Sequence, residues 1–374
     1  MKRTLCLMLL VASTFSLAYP QVTEVALPNM LYPFTFQQTD TTQLWVGLSD
    51  GNNDGALGYI RNGEFYQVSG SNGIPNGSYH TSIKLIDGSI IFGGNLVDSN
   101  GKAFLVWISE NRIDTIHIPF NLSRTFVNCL AIANKFEIWI GTASGLLVNK
   151  RGQWSRFTTQ NGLPDNFITA IHQDYRGIVW IGSESGLAFF QDNAIHVLPQ
   201  NNRAITSATT IYSDNKGYVW CGSRFSSEGV SVYNGEIWQT FSGRHGLFDN
   251  SASTFYQSPD GKLWIGSCYH RSRGGLSVFD GTEWLGYGSP HPLAKPCVDA
   301  IIADSHNRIW IGGSLTHRKG KGITVFDGTE WHKIVNHPQL KAERVISFFL
   351  DLNNCLWISS MEGLYSVNSE FKLP

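Results

Sequence analysis

Asp174-Tyr175-Arg176-Gly177-Ile178-Val179-Trp180-Ile181-Gly182-Ser183 is the stretch on which the fold turns. It returns as Asp214-Asn215-Lys216-Gly217-Tyr218-Val219-Trp220-Cys221-Gly222-Ser223. Around Trp264 it reads Asp260-Gly261-Lys262-Leu263-Trp264-Ile265-Gly266-Ser267, with the aspartate shifted. Further copies run from Asp304 to Gly313 and from Asp351 to Ser360, and weaker ones are Leu44-Trp45-Val46-Gly47, Ile91-Phe92-Gly93-Gly94 and Ile138-Trp139-Ile140-Gly141. With anchors at 45, 92, 139, 180, 220, 264, 310 and 357, the spacings are 47, 47, 41, 40, 44, 46 and 47. The residue two beyond the anchor is glycine every time except the last, where it is Ser359. So even a period across the chain marks an array of one structural unit.

Each unit has further regular parts. Gly186-Leu187-Ala188-Phe189-Phe190, Gly229-Val230-Ser231-Val232-Tyr233, Gly275-Leu276-Ser277-Val278-Phe279 and Gly322-Ile323-Thr324-Val325-Phe326 are short apolar strands opened by glycine. Asn234-Gly235, Asp280-Gly281 and Asp327-Gly328 follow, pairs that favour hairpins because both residues accept positive φ. Trp238, Trp284 and Trp331 then open a fourth strand, and another strand, such as Phe167–His172 or Val298–Ala303, precedes each anchor. No segment sustains a 3.6-residue period, so helices are incidental. A four-stranded unit repeated eight times predicts an all-β protein, an eight-bladed β-propeller of four-stranded antiparallel blades. We name the strands of a blade A to D from the channel outward. After the last C strand, Gly363–Val367, only a short tail remains. Val22–Pro28 resembles the outer strand and loop of Trp154–Pro164, so the N-terminal strand is expected to close the eighth blade. The repeated tryptophan is read as packing between sheets, and the aspartate as a cap of the A–B turn.

Composition agrees. The 374 residues carry 28 basic and 29 acidic side chains for a net charge of −1. Charged residues are 15% of the chain, against about 25% in ordinary domains, while aromatics reach 13% and glycines number 38. This excludes a disordered chain, and the absence of a basic excess argues against nucleic acid as a partner. Met1-Lys2-Arg3-Thr4 followed by an apolar run to Leu17, with Ser16 and Ala18 at the small-residue positions, reads as a secretory signal over 1–18. Residues 19–374 are then expected to form a single eight-bladed domain with no transmembrane segment once the signal is removed, in a periplasmic or secreted location. Five cysteines remain, Cys129, Cys221, Cys268, Cys297 and Cys355. None has the C-x-x-C spacing of a zinc or thioredoxin-like site.

The pattern D-x-x-G-x-x-W-I-G-[ST] followed by G-[LVI]-x-[VF]-[FY] resembles the two-component regulator propeller repeat. The resemblance spans the chain after residue 18 and is strongest from about 130 to 367. It implies an extracytoplasmic propeller of the ligand-binding sensor type. No kinase or DNA-binding segment accompanies it, so a sensor of this kind would have to relay to a separate partner, such as a membrane sensor protein. The motif residues are structural, so the resemblance transfers no binding residue.

The B–C and D–A connections share one face, around one mouth of the channel, and vary in length. Over blades five to seven they are Ser223–Gly229, Ser267–Gly275, Gly313–Gly322, Ser242–Asn250, Gly288–Cys297 and Asn336–Arg344. They hold ten lysines and arginines against Glu228, Asp249 and Glu343, a local excess of seven. This predicts a basic sector able to attract an anion, the competing reading being solvated loops whose charges point outward. Candidate ligand-binding residues are Arg224, Phe225, Arg244, His245, Tyr269, His270, Arg271, Arg273, His291, His317 and Arg318. Tyr79, Phe126, Phe167 and Phe248 are further aromatics expected near the mouth. Arginine and histidine would bond hydroxyls or carboxylates while aromatics stack on rings, the alternative being packing beneath the loops. The histidines sit on different loops without a carboxylate cluster, so no metal or other cofactor is expected. Cys268 and Cys297 fall on adjacent loops of this face and could form a disulfide after export. Three functions stay open: non-catalytic binding or sensing of an extracytoplasmic small molecule or oligosaccharide, a propeller lyase or hydrolase acting on glycans, and a protein-docking scaffold. The first is preferred, because no paired acids for hydrolysis and no convincing nucleophile–base pair stand out. A cluster such as His270, Arg271, His291 and His317 is what an enzyme would use.

Overall fold

Eight four-stranded antiparallel sheets succeed one another along the chain and form an eight-bladed β-propeller. The computed structural model describes residues 21–28, 30–71, 74–98, 100–110, 112–122, 126–198, 206–225, 228–269, 273–287, 297–313, 322–334 and 337–374. The expected signal over 1–18 lies outside the described residues. Blade six illustrates the pattern: A strand Thr254–Gln257, B strand Leu263–Tyr269, C strand Arg273–Phe279 and D strand Trp284–Tyr287.

A buried aspartate and a tryptophan organise each well-formed A–B hairpin. In blade four, Asp174 Oδ1 accepts the amides of Arg176 (2.9 Å) and Ile178 (3.1 Å), which shapes the turn. Its other oxygen, Oδ2, accepts the indole N–H of Trp180 at 2.9 Å. The same bond joins Trp220 to Asp214, Trp310 to Asp304 and Trp357 to Asp351 at 2.8–2.9 Å. Burying an indole leaves its N–H in need of an acceptor, and the turn supplies it six residues upstream. The expected cap is therefore also the indole's partner. Where the motif is irregular the chemistry persists. Ser258 Oγ accepts from Trp264 at 2.9 Å, with Asp260 bonded to that same hydroxyl, and Glu137 accepts from Trp139 at 3.1 Å. The left-handed turn position is Gly177 in blade four but Asn307 and Asn354 in blades seven and eight, with φ of 60° and 61°.

Pairing registers correct one anchor. In blade three, Trp139 pairs with Ala131 and Gly141 with Cys129 at a bulge. In blade two the equivalent pairs are Ile91 with Ile83 and Gly93 with Thr81. The anchor is therefore Ile91 and its glycine Gly93, one residue before the Phe92 and Gly94 that the motif suggested. Blade two takes its indole from the C strand instead: Trp107 faces Ile91 across the sheet and donates to Ser89 Oγ at 3.1 Å.

The glycine two residues past the anchor is where the next blade lies closest. A Cβ at Gly312 would fall 2.6 Å from Val345 Cβ of blade eight. Ser359 is tolerated at this position in blade eight because its hydroxyl donates to the Pro33 carbonyl of blade one.

Blade eight contains Val345–Leu350, Leu356–Ser360 and Gly363–Val367, and Val22–Val25 completes it as its D strand. Val22 pairs with Val367 and Val25 with Leu364. This closure alters the packing that holds neighbouring blades together. At three other junctions the anchor of one blade meets the D-strand tryptophan of the next: Trp180 with Trp238, Trp220 with Trp284 and Trp264 with Trp331, centroids 5.6–6.2 Å apart. Val22 occupies that D-strand position in blade eight, opposite Val367 where Trp284 stands opposite Phe279. The missing ring is supplied by the tail. Phe371, 3% exposed, packs 5.7 Å from Trp310 in a cluster with Val22 and Val367. Its carbonyl accepts from Arg308 Nη1 at 2.8 Å, and Asn368 N–H donates to the Gln21 carbonyl at 3.0 Å.

Phe371→Ala should therefore cost about 3 kcal/mol, the lower range for deleting a buried aromatic, read as a drop in the chemical-denaturation midpoint. Lys372→Ala, one residue on, should leave the midpoint unchanged.

Candidate functional site at the channel mouth

Every A strand enters the channel through an irregular residue opposite the anchor glycine. The eight equivalent positions are Phe34, His80, Asn128, Thr169, Thr209, Ser253, Asp299 and Ile346. They form a ring at the end of the channel that carries the B–C and D–A connections. Several bond to the carbonyl of the residue preceding the next member: His80 Nε2 to Val127 (2.9 Å), Asn128 to Ile168 (2.9 Å), Thr169 to Ala208 (2.6 Å) and Ser253 to Val298 (2.5 Å). The ring thus ties blade to blade. Burial holds the His80 imidazole below its ordinary pKa, so at neutral pH it is uncharged and its Nε2–H can donate to the Val127 carbonyl.

Two ring members engage a sequence candidate. Arg224 sits on the B–C connection of blade five, where its amide donates to Thr209 Oγ1 at 3.1 Å. Its side chain passes blade six and reaches Asp299 of blade seven, with Nη2 3.2 Å from Oδ1. The guanidinium side chain is 35% exposed and the carboxylate side chain 11%. Phe225, the next residue, is half exposed. An arginine has five donors, so one fixed by a single carboxylate at this ring can hold an oxygen-rich ligand.

Asp299 also changes the charge balance, since it lies two residues beyond the connection whose charges were counted. Arg344 is likewise paired, its Nε 2.6 Å from Glu362 Oε1. The excess of seven is thereby reduced at the two positions where the partner is defined. Each ring member lies at the same offset before its anchor, so taking Ile91 rather than Phe92 as the blade-two anchor is what places His80 in one ring with Asp299.

The remaining candidates distribute differently. Ser242–Gly246 is a short 3-10 turn at the exit from the D strand Trp238–Phe241. His245 Nδ1 accepts the Ser242 amide there at 3.0 Å, and its ring meets Phe241 edge-on. It holds the turn as Asn161 does in blade three, where Asn161 Oδ1 accepts the Thr158 amide. Arg244 occupies the same turn. Tyr269 and Arg273 are not loop residues: the B and C strands of blade six extend to them, and they pair across the hairpin. His270, Arg271, His291, His317 and Arg318 lie outside the described residues. Tyr79 is a core residue, fully buried with its hydroxyl 2.8 Å from the Pro75 carbonyl. Phe248 packs against Gly275 and Gly286, and Phe126 is partly exposed near His80.

Cys268 and Cys297 are joined by a disulfide. Cys268 belongs to the B strand of blade six rather than to a loop, and both residues are buried. The bridge links blade six to the entry of blade seven, beside the Val298 N–H to Ser267 carbonyl bond.

One contact was not anticipated. His172 Nε2 lies 2.7 Å from Ser213 Oγ, a nucleophile–base pairing by residue type. It sits toward the opposite end of the A strands, close to blade-to-blade links such as Gln173 with Asn134 and Lys84 with the Gln38 carbonyl. Its place among these links makes it a tie between blades. Among the described residues, no group of three or more His, Cys, Asp or Glu converges as a metal site, and no helix is long and apolar enough to cross a membrane.

With this geometry in view, comparisons with known proteins place the repeat. Residues 162–185 and 246–269 match the two component regulator propeller family model. Each match begins at the left-handed glycine, Gly162 or Gly246, that ends a D–A turn. Two stretches of this propeller thus match the two-component regulator propeller repeat. It is similar to the extracellular domain of BT3049 from B. thetaiotaomicron, a protein assigned as a hybrid two component system (TM-score 0.58, 18% identity, covering 94% of this chain and 42% of that one). It is also similar to PorZ of Porphyromonas gingivalis, a surface component of the type-IX secretion system (TM-score 0.56, 15% identity, 90% and 53%). A third similar structure is virginiamycin B lyase from Staphylococcus aureus, a catalytically inactive variant with quinupristin (TM-score 0.53, 14% identity, 78% and 94%). At these identities the likeness is one of fold, and this chain spans less than half of the BT3049 chain. No curated protein matches it.

Two measurements check the site. Replacing Cys268 and Cys297 together by serine should lower stability by about 3 kcal/mol, as expected for a loop of this length, with Cys129, Cys221 and Cys355 alone reacting with an alkylating reagent in the unfolded, unreduced wild type. NMR titration should find the His80 ring changing charge below the ordinary histidine value of 6.5. Because the folded value is the depressed one, the contribution of His80 to stability is lost as pH falls from about 6.5 through the folded pKa, and His80→Gln should flatten that part of the pH–stability curve.

Proposed function

We propose that this chain is an extracytoplasmic, non-catalytic propeller. It binds a small molecule or oligosaccharide at the channel mouth of blades five to seven and relays occupancy to a separate membrane sensor protein. The observation that carries this reading is Arg224, part-exposed and held at the ring by Asp299 with half-exposed Phe225 beside it. The shape of the face supports it. The B–C turns of blades three, four and eight are two residues long, whereas those of blades one, two, five and seven are longer, running from Ser49 to Leu57, from Asn95 to Phe104, from Gly222 to Val230 and from Gly312 to Ile323. Long loops on a rigid scaffold are where binding specificity is built, and blades five and seven carry two of these four. The similarity to an extracellular domain of a two component system supports the location and the sensing role. Arg271, Arg273, His270, His291, His317 and Arg318 are proposed to complete the basic sector around Arg224.

The test is a thermal-shift screen of the purified protein against acidic and neutral oligosaccharides. A ligand of the folded state raises the melting temperature by mass action. An acidic oligosaccharide should give a shift that Arg224→Ala abolishes and that Arg271→Ala and Arg273→Ala together reduce. Turnover of the bound compound would replace this reading with a lyase or hydrolase, and no shift across the panel would favour a protein-docking scaffold.

A further inference from the structure

A second site is set into the seam between blades seven and eight. There a cleft of about 550 Å³ is lined by Ile334, Leu340, Lys341, Ala342, Glu24 and Tyr365, among others. Comparison with the corresponding seam of blade six explains why it is open. Leu247 and Leu340 are equivalent buried residues of the two D–A connections, so Phe248 corresponds to Lys341. In blade six the Phe248 ring lies over Gly275 and beside Gly286, and its amide donates to Ser277 Oγ at 2.9 Å. The pairing registers make Gly363, Tyr365 and Glu24 the counterparts of Gly275, Ser277 and Gly286. The Tyr365 phenol has taken the place over Gly363, its hydroxyl 3.3 Å from where a Cβ would be. Lys341 stands where the plugging phenylalanine would stand, and Glu24 stands where glycine would.

Tyr365 is the informative group. It is 1% exposed and lines the cleft. Burial and the Glu24 and Glu362 carboxylates push its pKa up to about 12, so it is a neutral donor at physiological pH. Glu362 is already committed, accepting from Arg344 and from the amides of Glu343 and Arg344. That leaves Glu24, Glu343, Lys341 and the Tyr365 hydroxyl around an aliphatic wall of Ile334, Leu340 and Ala342, with His337 Nδ1 already accepting the amides of Gln339 and Leu340.

We propose that this cleft binds a zwitterionic small molecule of the α-amino-acid or dipeptide class. Glu24 takes the ammonium, Lys341 and the Tyr365 hydroxyl take the carboxylate, and the side chain rests on the aliphatic wall. The site is separate from the channel mouth and does not depend on the ligand proposed there. Isothermal titration of the purified protein with glycine, leucine, phenylalanine, glutamate, lysine and glycyl-leucine tests it. At least one should bind, and its N-acetyl and C-amide derivatives should bind at least about tenfold more weakly, since each removes one charged contact. Tyr365→Phe should weaken binding about fivefold to tenfold, the effect of one hydrogen bond, with the melting temperature of the unliganded protein unchanged. Lys341→Gln should weaken it as well, while Arg224→Ala should not. The proposal is overturned if none of the six compounds binds the wild type. It is equally overturned if binding survives both Tyr365→Phe and Lys341→Gln, or is lost in Arg224→Ala.

Discussion

One carboxylate with two tasks underlies the architecture. In the regular blades an aspartate spends one oxygen on the amides of its own turn and the other on an indole six residues later. A turn alone would leave the indole N–H buried and unpaired, at a cost of about 1–3 kcal/mol. A tryptophan alone would leave the hairpin free to choose its turn. Joined, they fix where the B strand begins and where the large ring points. The ring then packs against the next blade, so a local turn decides an interface between sheets. The substitutes keep both ends of the bargain. Ser258 accepts the Trp264 indole N–H and donates its own hydroxyl to Asp260, and blade two moves the indole to the adjacent strand, where Ser89 receives it.

The ring has one irregular junction, and both unusual features of the molecule follow from it. Blade eight draws its outer strand from the start of the chain, so its outer positions carry Val22 and Glu24 where blade six has Trp284 and Gly286. Val22 is too small to reach Trp310, and Phe371 comes in from the tail to do so. Glu24 is too polar to lie under an aromatic plug, and the cleft holding Tyr365 remains beside it. The packing deficit is filled by the chain itself; the polar one is left open.

Much of the fold was legible because its determinants are local and repeated. Tryptophan, glycine and turn residues recur at fixed offsets, and the count of units forces the number of blades. The closure was legible too, since one strand lacked partners at each end. The error at Phe92 has a physical source: the indole of blade two sits on another strand, so an aromatic next to the true position stood in for it. The site was less legible. Asp299 and Arg224 are 75 residues apart and meet only because blades five and seven flank the same channel. Tyr79 looked like a mouth aromatic from its place in the chain, but the bulge turns it into the core. His245 looked like a ligand residue by type, yet its ring nitrogen is used to hold a turn. Function in a propeller depends on which connections converge, and a linear repeat does not reveal that.

The pairing of Val22–Val25 with Gly363–Val367 also bears on how the molecule is made. Its partners lie at opposite ends of the sequence, so this contact carries the largest loop-closure cost in the chain. Most other strand pairs are hairpins within one blade and can form as soon as their residues are available. Assembly is therefore expected to run blade by blade and then wait. Until the end of the chain arrives, the Val22–Val25 segment has no sheet to join, and until the two meet, the Gly363–Val367 strand offers an unpaired edge to any extended chain nearby. The period of greatest exposure to aggregation falls at the final step, when nearly everything else is already in place.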